Sequence, residues 1–253
     1  MREVICSRNA IYETLRAGRR QVFRLLVAEG AQEKGRLNEI LAFVEGHKIP
    51  VRHVPRAHLD QINPNHQGVA LEVDEYPYTG LEDILELAAQ RNEPPFLLIL
   101  DALQDPQNLG TLLRTAEAVG VHGIVIPLRR AAAVTPAVVH ASAGASEHLL
   151  IVQTNLAQAI QALKTAGVWI IGLEGGQPAM DVGRLRLDGP LALVVGNEAE
   201  GMRRLTRQSC DALLRLPMRG SVASLNAAVA GSVVLYLAWQ ARGFPNVANK
   251  NPG

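Results

Sequence analysis

Two periodicities alternate along this chain. Leu37, Ile40, Leu41 and Val44 recur at i, i+3, i+4 and i+7, the stripe of a helix with one buried face. Leu81, Ile84, Leu85 and Ala88 form a second stripe, and Leu156, Ile160 and Leu163 a third. Helices are also expected over 110–119 and 136–141. Between them stand continuous apolar runs at 96–100, 168–173 and 191–195, with shorter ones at 123–126 and 149–152. A run apolar at every position suits a strand buried on both faces. Such strands alternating with helices predict an α/β fold with a parallel sheet covered on both sides.

The first 75 residues read as a smaller α/β unit. A short helix over 9–17 carries Ile11 and Leu15 on one face, and strands are expected at 21–28, 51–54 and 68–73. Residues 74–80, Asp-Glu-Tyr-Pro-Tyr-Thr-Gly, have the charges, proline and glycine of a linker. The expected organisation is therefore two domains, 1–75 and 76–253.

Near the other end, residues 221–240 contain no charge and are long enough in principle to span a bilayer. They open on Ser-Val-Ala-Ser-Leu-Asn and contain Gly231 and Ser232, which favours a buried or interface helix over a membrane span.

Composition narrows the class. Hydrophobic residues make up 48% and charged residues 19% of 253, a globular balance rather than a disordered one. Cys6 and Cys210 lie far apart and form neither a disulfide framework nor a zinc site, which suits a reducing, cytoplasmic setting. The opening residues contain no signal-peptide apolar core. Net charge is +1 but uneven: residues 1–60 hold 11 Lys/Arg against 7 Asp/Glu, while the rest hold 14 against 17. Arg8, Arg16, Arg19, Arg20 and Arg24 concentrate the excess and suggest a polyanion-binding face. An ordinary solvated face accounts for the charge equally well.

Ligands in parallel sheets bind at the carboxyl ends of the strands, so the loops after Leu100, Leu173, Val195 and Leu216 carry the candidate chemistry. Asp105-Pro106 starts a turn, Asn108 is a candidate helix cap, and Arg114 presents a planar five-donor fork suited to phosphate. A capped helix with a surface salt bridge explains the same residues. Gly196-Asn197-Glu198 follows a buried strand directly. There Gly196 permits close backbone approach, while Glu198 is either a working carboxylate or a favourable charge at a helix start. Leu216-Pro217-Met218 stops an apolar run and leads through a small-residue loop to Ser224 and Asn226, where a helix begins. There is no dinucleotide fingerprint, Walker loop or His-Glu-x-x-His, and no metal is expected.

Together these segments resemble the SpoU class of the SPOUT methyltransferases, which move a methyl group from S-adenosylmethionine to a ribose 2′-hydroxyl of RNA. Residues 105–116 fit the class's Asp-Pro-x-Asn-x-Gly-x3-Arg-Thr-Ala, and 196–201 its Gly-Asn-Glu-x-x-Gly. Residues 216–226 fit Ile-Pro-Met-x-Gly-x-x-x-Ser-Leu-Asn with Leu for Ile. The stretch 141–149, Ala-Ser-Ala-Gly-Ala-Ser-Glu-His-Leu, is similar to the rRNA guanosine-2′-O-methyltransferase subgroup, the RlmB type, although Ala227-Ala228 replaces the Val-Ser common there.

The resemblance implies a ribosomal-protein-L-thirty-like RNA-binding domain before a SPOUT domain with a deep trefoil knot, a homodimer, and no DNA or membrane partner. It implies Arg114 as the catalytic arginine, with Asn108, Glu198, Ser224 and Asn226 as site partners. It implies S-adenosylmethionine held around Leu173, Gly175, Val195, Gly196, Leu216, Pro217, Met218, Ser224 and Leu225. Arg8, Arg16, Arg19 and Arg20 would then contact RNA. An rRNA guanosine is the expected substrate. The alternatives are a tRNA ribose of the same class, a non-catalytic RNA-binding factor on this fold, or a metabolic enzyme using the same strand ends.

Overall fold

A computed structural model of the chain describes residues 2–129, 132–176, 178–197, 200–222 and 224–244. The chain opens with β1 (Glu3–Cys6), α1 (Arg8–Ala17), β2 (Val22–Ala28), α2 (Arg36–Gly46), β3 (Val51–Val54), α3 (Arg56–Ile62) and β4 (Val69–Val73). These strands form one sheet in the order β1-β4-β2-β3, parallel only between β2 and β3. Cys6, Leu26, Ala28, Val54, Leu59 and Ala70 pack as one apolar cluster of this unit. The pattern of the first 75 residues predicts this unit but omits β1 and α3. Strand β1 is a four-residue edge strand, and α3 buries Leu59 alone, too little for a periodic signal.

The chain continues through α4 (Leu81–Gln90), β5 (Phe96–Asp101), α5 (Pro106–Ala118), β6 (Gly123–Pro127), α6 (Pro136–Ala141), β7 (Leu150–Thr154) and α7 (Leu156–Thr165). It then adds β8 (Trp169–Leu173), β9 (Met180–Asp181), β10 (Leu191–Gly196), α8 (Arg204–Ser209), β11 (Ala212–Arg215) and α9 (Ala227–Ala241). Strands β5 to β11 form one sheet in the order β7-β6-β5-β10-β8-β11-β9, every pair parallel. Alternate strand residues, among them Leu97, Ile99, Val125, Ala192 and Val194, bury against Ile84 of α4 and Leu156, Ile160 and Leu163 of α7. Helix α9 packs against β10. No helix among the described residues is long and apolar enough to cross a membrane, because α9 begins only at Ala227, after the loop that carries Ser224 and the cap Asn226.

The division into compact units departs from a cut at residue 75. Residues 1–78 cluster with 105–117 and 132–149, while 79–104, 118–131 and 150–253 make the second unit. Close approaches inside the first unit explain this. A side chain at Gly110 of α5 would meet Ala141 of α6 at 2.5 Å, and one at Gly144 would meet Glu13 of α1 at 2.6 Å.

The first unit is also tied by an arginine network. Arg20 donates from Nε and Nη2 to the two carboxylate oxygens of Glu147, at 2.8 and 2.9 Å, and from Nη1 to Glu3 at 2.6 Å and the Asp74 carbonyl at 3.0 Å. Its side chain is 0% exposed and that of Glu147 is 1%. Burial opposes the charge, yet hydrogen bonds and attraction from Glu147 and Glu3 outweigh it and hold the Arg20 guanidinium above its ordinary value. Arg19 donates to the Tyr76 hydroxyl and to the carbonyls of Pro77, Glu147 and Leu149. Arg8 donates to the carbonyls of Gln67, Lys34 and Gln32.

The expectation of an RNA-contacting face is thereby corrected for Arg20, which is an internal strut. The guanidinium groups of Arg8 and Arg19 are spent on main-chain carbonyls. Arg16 stays exposed, 3.4 Å from Glu13. The same contacts give a physical role to the 141–149 stretch, since it supplies Glu147 and the carbonyls that Arg19 and Tyr76 engage.

Candidate active site

In a parallel sheet every strand ends at the same edge, and the registers show which ends lie side by side. Gly196 pairs with Asp101, Val195 with both Leu100 and Leu173, and Leu214 with Leu173. The loops leaving β8, β10 and β11 therefore start at one level. Between them lies a cavity of about 200 Å³. Leu173, Glu174 and Gly175 line it from β8, Val195, Gly196, Asn197 and Gly201 from β10, and Leu216 and Met218 from the chain after β11. Ser224, Leu225, Ala227 and Ala230 close it from the start of α9.

Three devices shape the cavity. Asn197 and Gly201 exchange both main-chain hydrogen bonds, at 3.0 and 2.8 Å, folding the loop after β10 tightly back. Gly201 sits in the left-handed region at φ 67°, and a side chain at Gly196 would meet the Gly201 carbonyl carbon at 2.3 Å. Only hydrogen fits there. The loop is anchored to the end of β5. Buried Asp101 accepts from the Arg203 main chain at 2.8 Å and from its Nε at 2.6 Å, and the Asn197 amide donates to the Ala102 carbonyl at 3.1 Å. Ala102 itself is held at φ 62°, a conformation that alanine adopts only when its surroundings impose it. Finally, Asn226 caps α9, accepting from Ala228 at 2.9 Å and Val229 at 3.1 Å.

Most residues expected to hold a cofactor line this cavity: Leu173, Gly175, Val195, Gly196, Leu216, Met218, Ser224 and Leu225. Pro217 lies between two of them. Glu198 lies outside the described residues. Asn226 is the α9 cap, so its carboxamide oxygen is engaged by the helix start. Arg114 is exposed on α5 and forms no ion pair among the described residues. The expected helix start is corrected. Helix α5 begins at Pro106, with Asp105 accepting from Gln107 at 3.1 Å, so Asn108 sits in the first turn and not at the cap. Proline at the first helical position and aspartate before it favour that start.

Glu174 and Asn197 also line the cavity. The sequence alone does not single them out, although each adjoins a residue that it does. Glu174 accepts from Arg207 Nε at 2.6 Å. The two thiols lie elsewhere in chemical terms, since burial pushes Cys6 up to about 11 and Cys210 up to about 12.

The lining suits a nucleoside-type cofactor. Leucine, valine, methionine and alanine side chains offer apolar walls, strand-end main chain offers donors and acceptors, and Glu174 offers a carboxylate. A side chain at Gly175 would meet no protein atom within 4 Å, so packing does not demand glycine there and its absence of a side chain keeps the cavity open.

A cavity at the carboxyl edge of a parallel sheet stands where α/β proteins bind their ligands. Comparison with known proteins narrows the class, and the chain belongs to the SpoU rRNA Methylase family, whose model matches residues 95–236. The model for RNA 2′-O ribose methyltransferase substrate binding matches residues 4–79. The chain is 42% identical to YacO of Bacillus subtilis (strain 168), named for the TrmH family of tRNA/rRNA methyltransferases, over 95% of this chain and 96% of that one. A Staphylococcus aureus (strain MSSA476) relative named for the same family is 41% identical over 94% and 96%. Among solved structures, the SpoU methyltransferase AviRb from Streptomyces viridochromogenes, in complex with AdoMet, superposes with a TM-score of 0.79 at 26% identity, covering 96% of this chain and 91% of that one.

The cavity geometry makes one expectation sharp. Gly196→Ala forces the methyl group into the main chain of Gly201 and Met202, so the loop must move and the cavity wall with it. Titration calorimetry with S-adenosylmethionine is expected to show affinity lowered about tenfold or more, an effect of at least about 1.4 kcal/mol. Unchanged affinity would contradict the placement of the cofactor here.

Proposed function

We propose that this protein methylates a ribose 2′-hydroxyl of RNA with S-adenosylmethionine, and that the target is a guanosine of large-subunit rRNA. The observation that carries the reading is the cavity. Three strand-end loops and the start of α9 converge on it, and they hold the glycines, apolar walls and Ser224 of the family's motifs. The family match supports RNA methylation. The 141–149 stretch favours the rRNA guanosine subgroup, and a tRNA ribose is the alternative.

S-adenosylmethionine supplies a methyl group on a sulfonium centre. Bound there, it would give up that methyl to the ribose oxygen and leave as the neutral thioether S-adenosylhomocysteine, while the hydroxyl proton passes to solvent. The protein's work is therefore to align the hydroxyl in line with that methyl at about 3–3.5 Å and to favour its alkoxide character. Leu173, Gly175, Val195, Gly196, Leu216 to Met218 and Leu225 hold the cofactor, and Ser224 and Asn226 orient the ribose. Arg114 stabilises the charge developing on the oxygen and engages an adjacent phosphate with its fork. Asn108 or Glu198 would hold Arg114. Residues 1–75 bind the RNA substrate on a ribosomal-protein-L-thirty-like fold, the catalytic part carries the trefoil knot of its class, and the protein works in the cytoplasm.

The reading includes a homodimer built on α9. One face of this helix, with Ala228, Gly231, Val234, Leu235 and Ala238, is buried in the protein's own core. Its other face exposes Val229, Val233 and Tyr236, which are 47%, 39% and 48% accessible. An exposed apolar face beside a core helix fits a second copy. Light scattering is expected to give twice the chain mass for the wild type and the single mass for Tyr236→Glu. A monomeric wild type at micromolar concentration would rule the dimer out.

The test of the activity is methyl transfer from labelled S-adenosylmethionine to separate rRNA and tRNA pools. Label in neither pool would overturn the reading, and label in tRNA alone would select the alternative.

A further inference from the structure

Arg8, Arg19 and Arg20 of the first unit are committed to its own structure, and an RNA substrate must also be held by cations near the cavity. The segment 201–220 carries five arginines, Arg203, Arg204, Arg207, Arg215 and Arg219, against the single acid Asp211. It runs from the loop after β10 through α8 and β11 to the small-residue loop before α9. These arginines interleave with cavity residues in sequence: Gly201 precedes Arg203, Arg215 adjoins Leu216, and Arg219 adjoins Met218. Arg207 holds the lining carboxylate of Glu174.

Their pairing has a common form. Arg203 uses Nε on Asp101 at 2.6 Å, Arg207 uses Nε on Glu174 at 2.6 Å, and Arg215 uses Nε on Asp181 at 2.8 Å. Their side chains remain 43%, 37% and 36% exposed. Each carboxylate thus fixes the guanidinium plane through its inner nitrogen, and the two terminal nitrogens make no hydrogen bond among the described residues. This differs from Arg20, whose Nε and both terminal nitrogens are all satisfied inside the protein. Arg204 and Arg219 are exposed and form no ion pair among the described residues. A guanidinium held in place with its outer edge free is pre-organised for phosphate oxygens, which it meets two at a time. A ribose 2′-hydroxyl within an RNA strand has a phosphate on either side of it. A strand delivering that hydroxyl to the cavity brings those phosphates to the cavity's mouth.

We infer that Arg203, Arg204, Arg207, Arg215 and Arg219 form a phosphate-tracking surface around the cavity and hold the RNA backbone on both sides of the target nucleotide. The inference rests on the methyltransferase reading for the identity of the strand, while its charge geometry stands on its own. The paired arginines also set the cavity wall, so the test uses the two that pair with no carboxylate.

The experiment measures fluorescence anisotropy of a labelled single-stranded RNA oligonucleotide of mixed sequence against full-length protein from low to moderate salt. The double variant Arg204→Ala/Arg219→Ala is compared with wild type. Removing one arginine–phosphate pair is expected to flatten the dependence of log affinity on log salt by about 0.7, so the double variant's slope falls by about 1.4. Its RNA affinity at low salt falls about tenfold or more, and its S-adenosylmethionine affinity by calorimetry stays within about twofold of wild type. A double variant that keeps the wild-type slope and affinity while the wild type methylates RNA overturns the surface alone. A wild type that binds this RNA with the expected slope and loses it in the double variant, yet binds no S-adenosylmethionine, leaves the surface standing and overturns the methyltransferase reading.

Discussion

An Arg114→Ala enzyme is expected to lose about 10²–10³-fold in turnover while its affinity for S-adenosylmethionine stays within about twofold of wild type. The size is that of removing one preorganised group that stabilises charge only as the reaction proceeds. The split between turnover and binding follows from where the residue stands. Arg114 is on α5, whereas every described residue lining the cavity comes from the ends of β8 and β10, the loops after β8, β10 and β11, or the start of α9. Arg114→Lys keeps a positive charge without the planar fork. It is expected to recover part of the loss if charge near the oxygen is what matters, and little if the fork sets the geometry. Single-turnover methyl transfer measured with saturating cofactor reads these values directly. Activity above a tenth of wild type in Arg114→Ala would remove this residue from the chemistry.

The second large effect is on stability. Glu147→Ala is expected to cost about 3–5 kcal/mol in urea-induced unfolding, because it leaves Arg20 buried with its strongest partner gone. The same substitution also removes an anchor between β1, the 74–78 turn and the 145–149 turn, all of which meet around Arg20, Arg19 and Tyr76. The double variant Arg20→Met/Glu147→Leu is expected to cost less than Glu147→Ala alone. It removes both charges and keeps most of the volume, and apolar replacement of a buried pair is often close to neutral. A loss below about 1 kcal/mol for Glu147→Ala would show that solvent reaches this pair.

These two residues mark how far the sequence carries. The parallel sheet is legible in it because Phe96 to Leu100 and Leu191 to Val195 are apolar at every position, which only a strand covered on both faces tolerates. The strand ends, and with them most of the cavity, follow from that reading. The order of the strands does not follow. Nothing local to β10 tells that it lies between β5 and β8, since the pairing is set by contacts distant in sequence.

Short polar elements are also hidden. Helix α8 buries only Thr206, and β9 has two residues. Arg20 and Arg16 look alike in a charge count, yet one is enclosed by Glu147 and Glu3 and the other faces solvent. The difference comes from Glu147, 127 residues further on, and no charge tally over a local segment can register it. The grouping of 105–117 and 132–149 with the first unit has the same origin. It depends on Gly110 and Gly144 letting chain segments approach closely, and an isolated glycine in sequence does not reveal its neighbour.

The arginines of 201–220 are diluted in the same way, because the 193 residues after residue 60 carry a net negative charge as a whole. Five of their cations fall in one segment beside the cavity. What counts for a polyanion is that local density and the exposure of the guanidinium edges.

The most direct test follows the methyl group itself. Purified protein is incubated with methyl-tritiated S-adenosylmethionine and with rRNA lacking ribose methylation, and the RNA is then hydrolysed in alkali. A 2′-O-methyl group blocks cleavage at its own nucleotide, so label is expected in alkali-resistant dinucleotides containing 2′-O-methylguanosine. Label released in mononucleotides, as from a methylated base, or no label in any RNA despite measured cofactor binding, would contradict it.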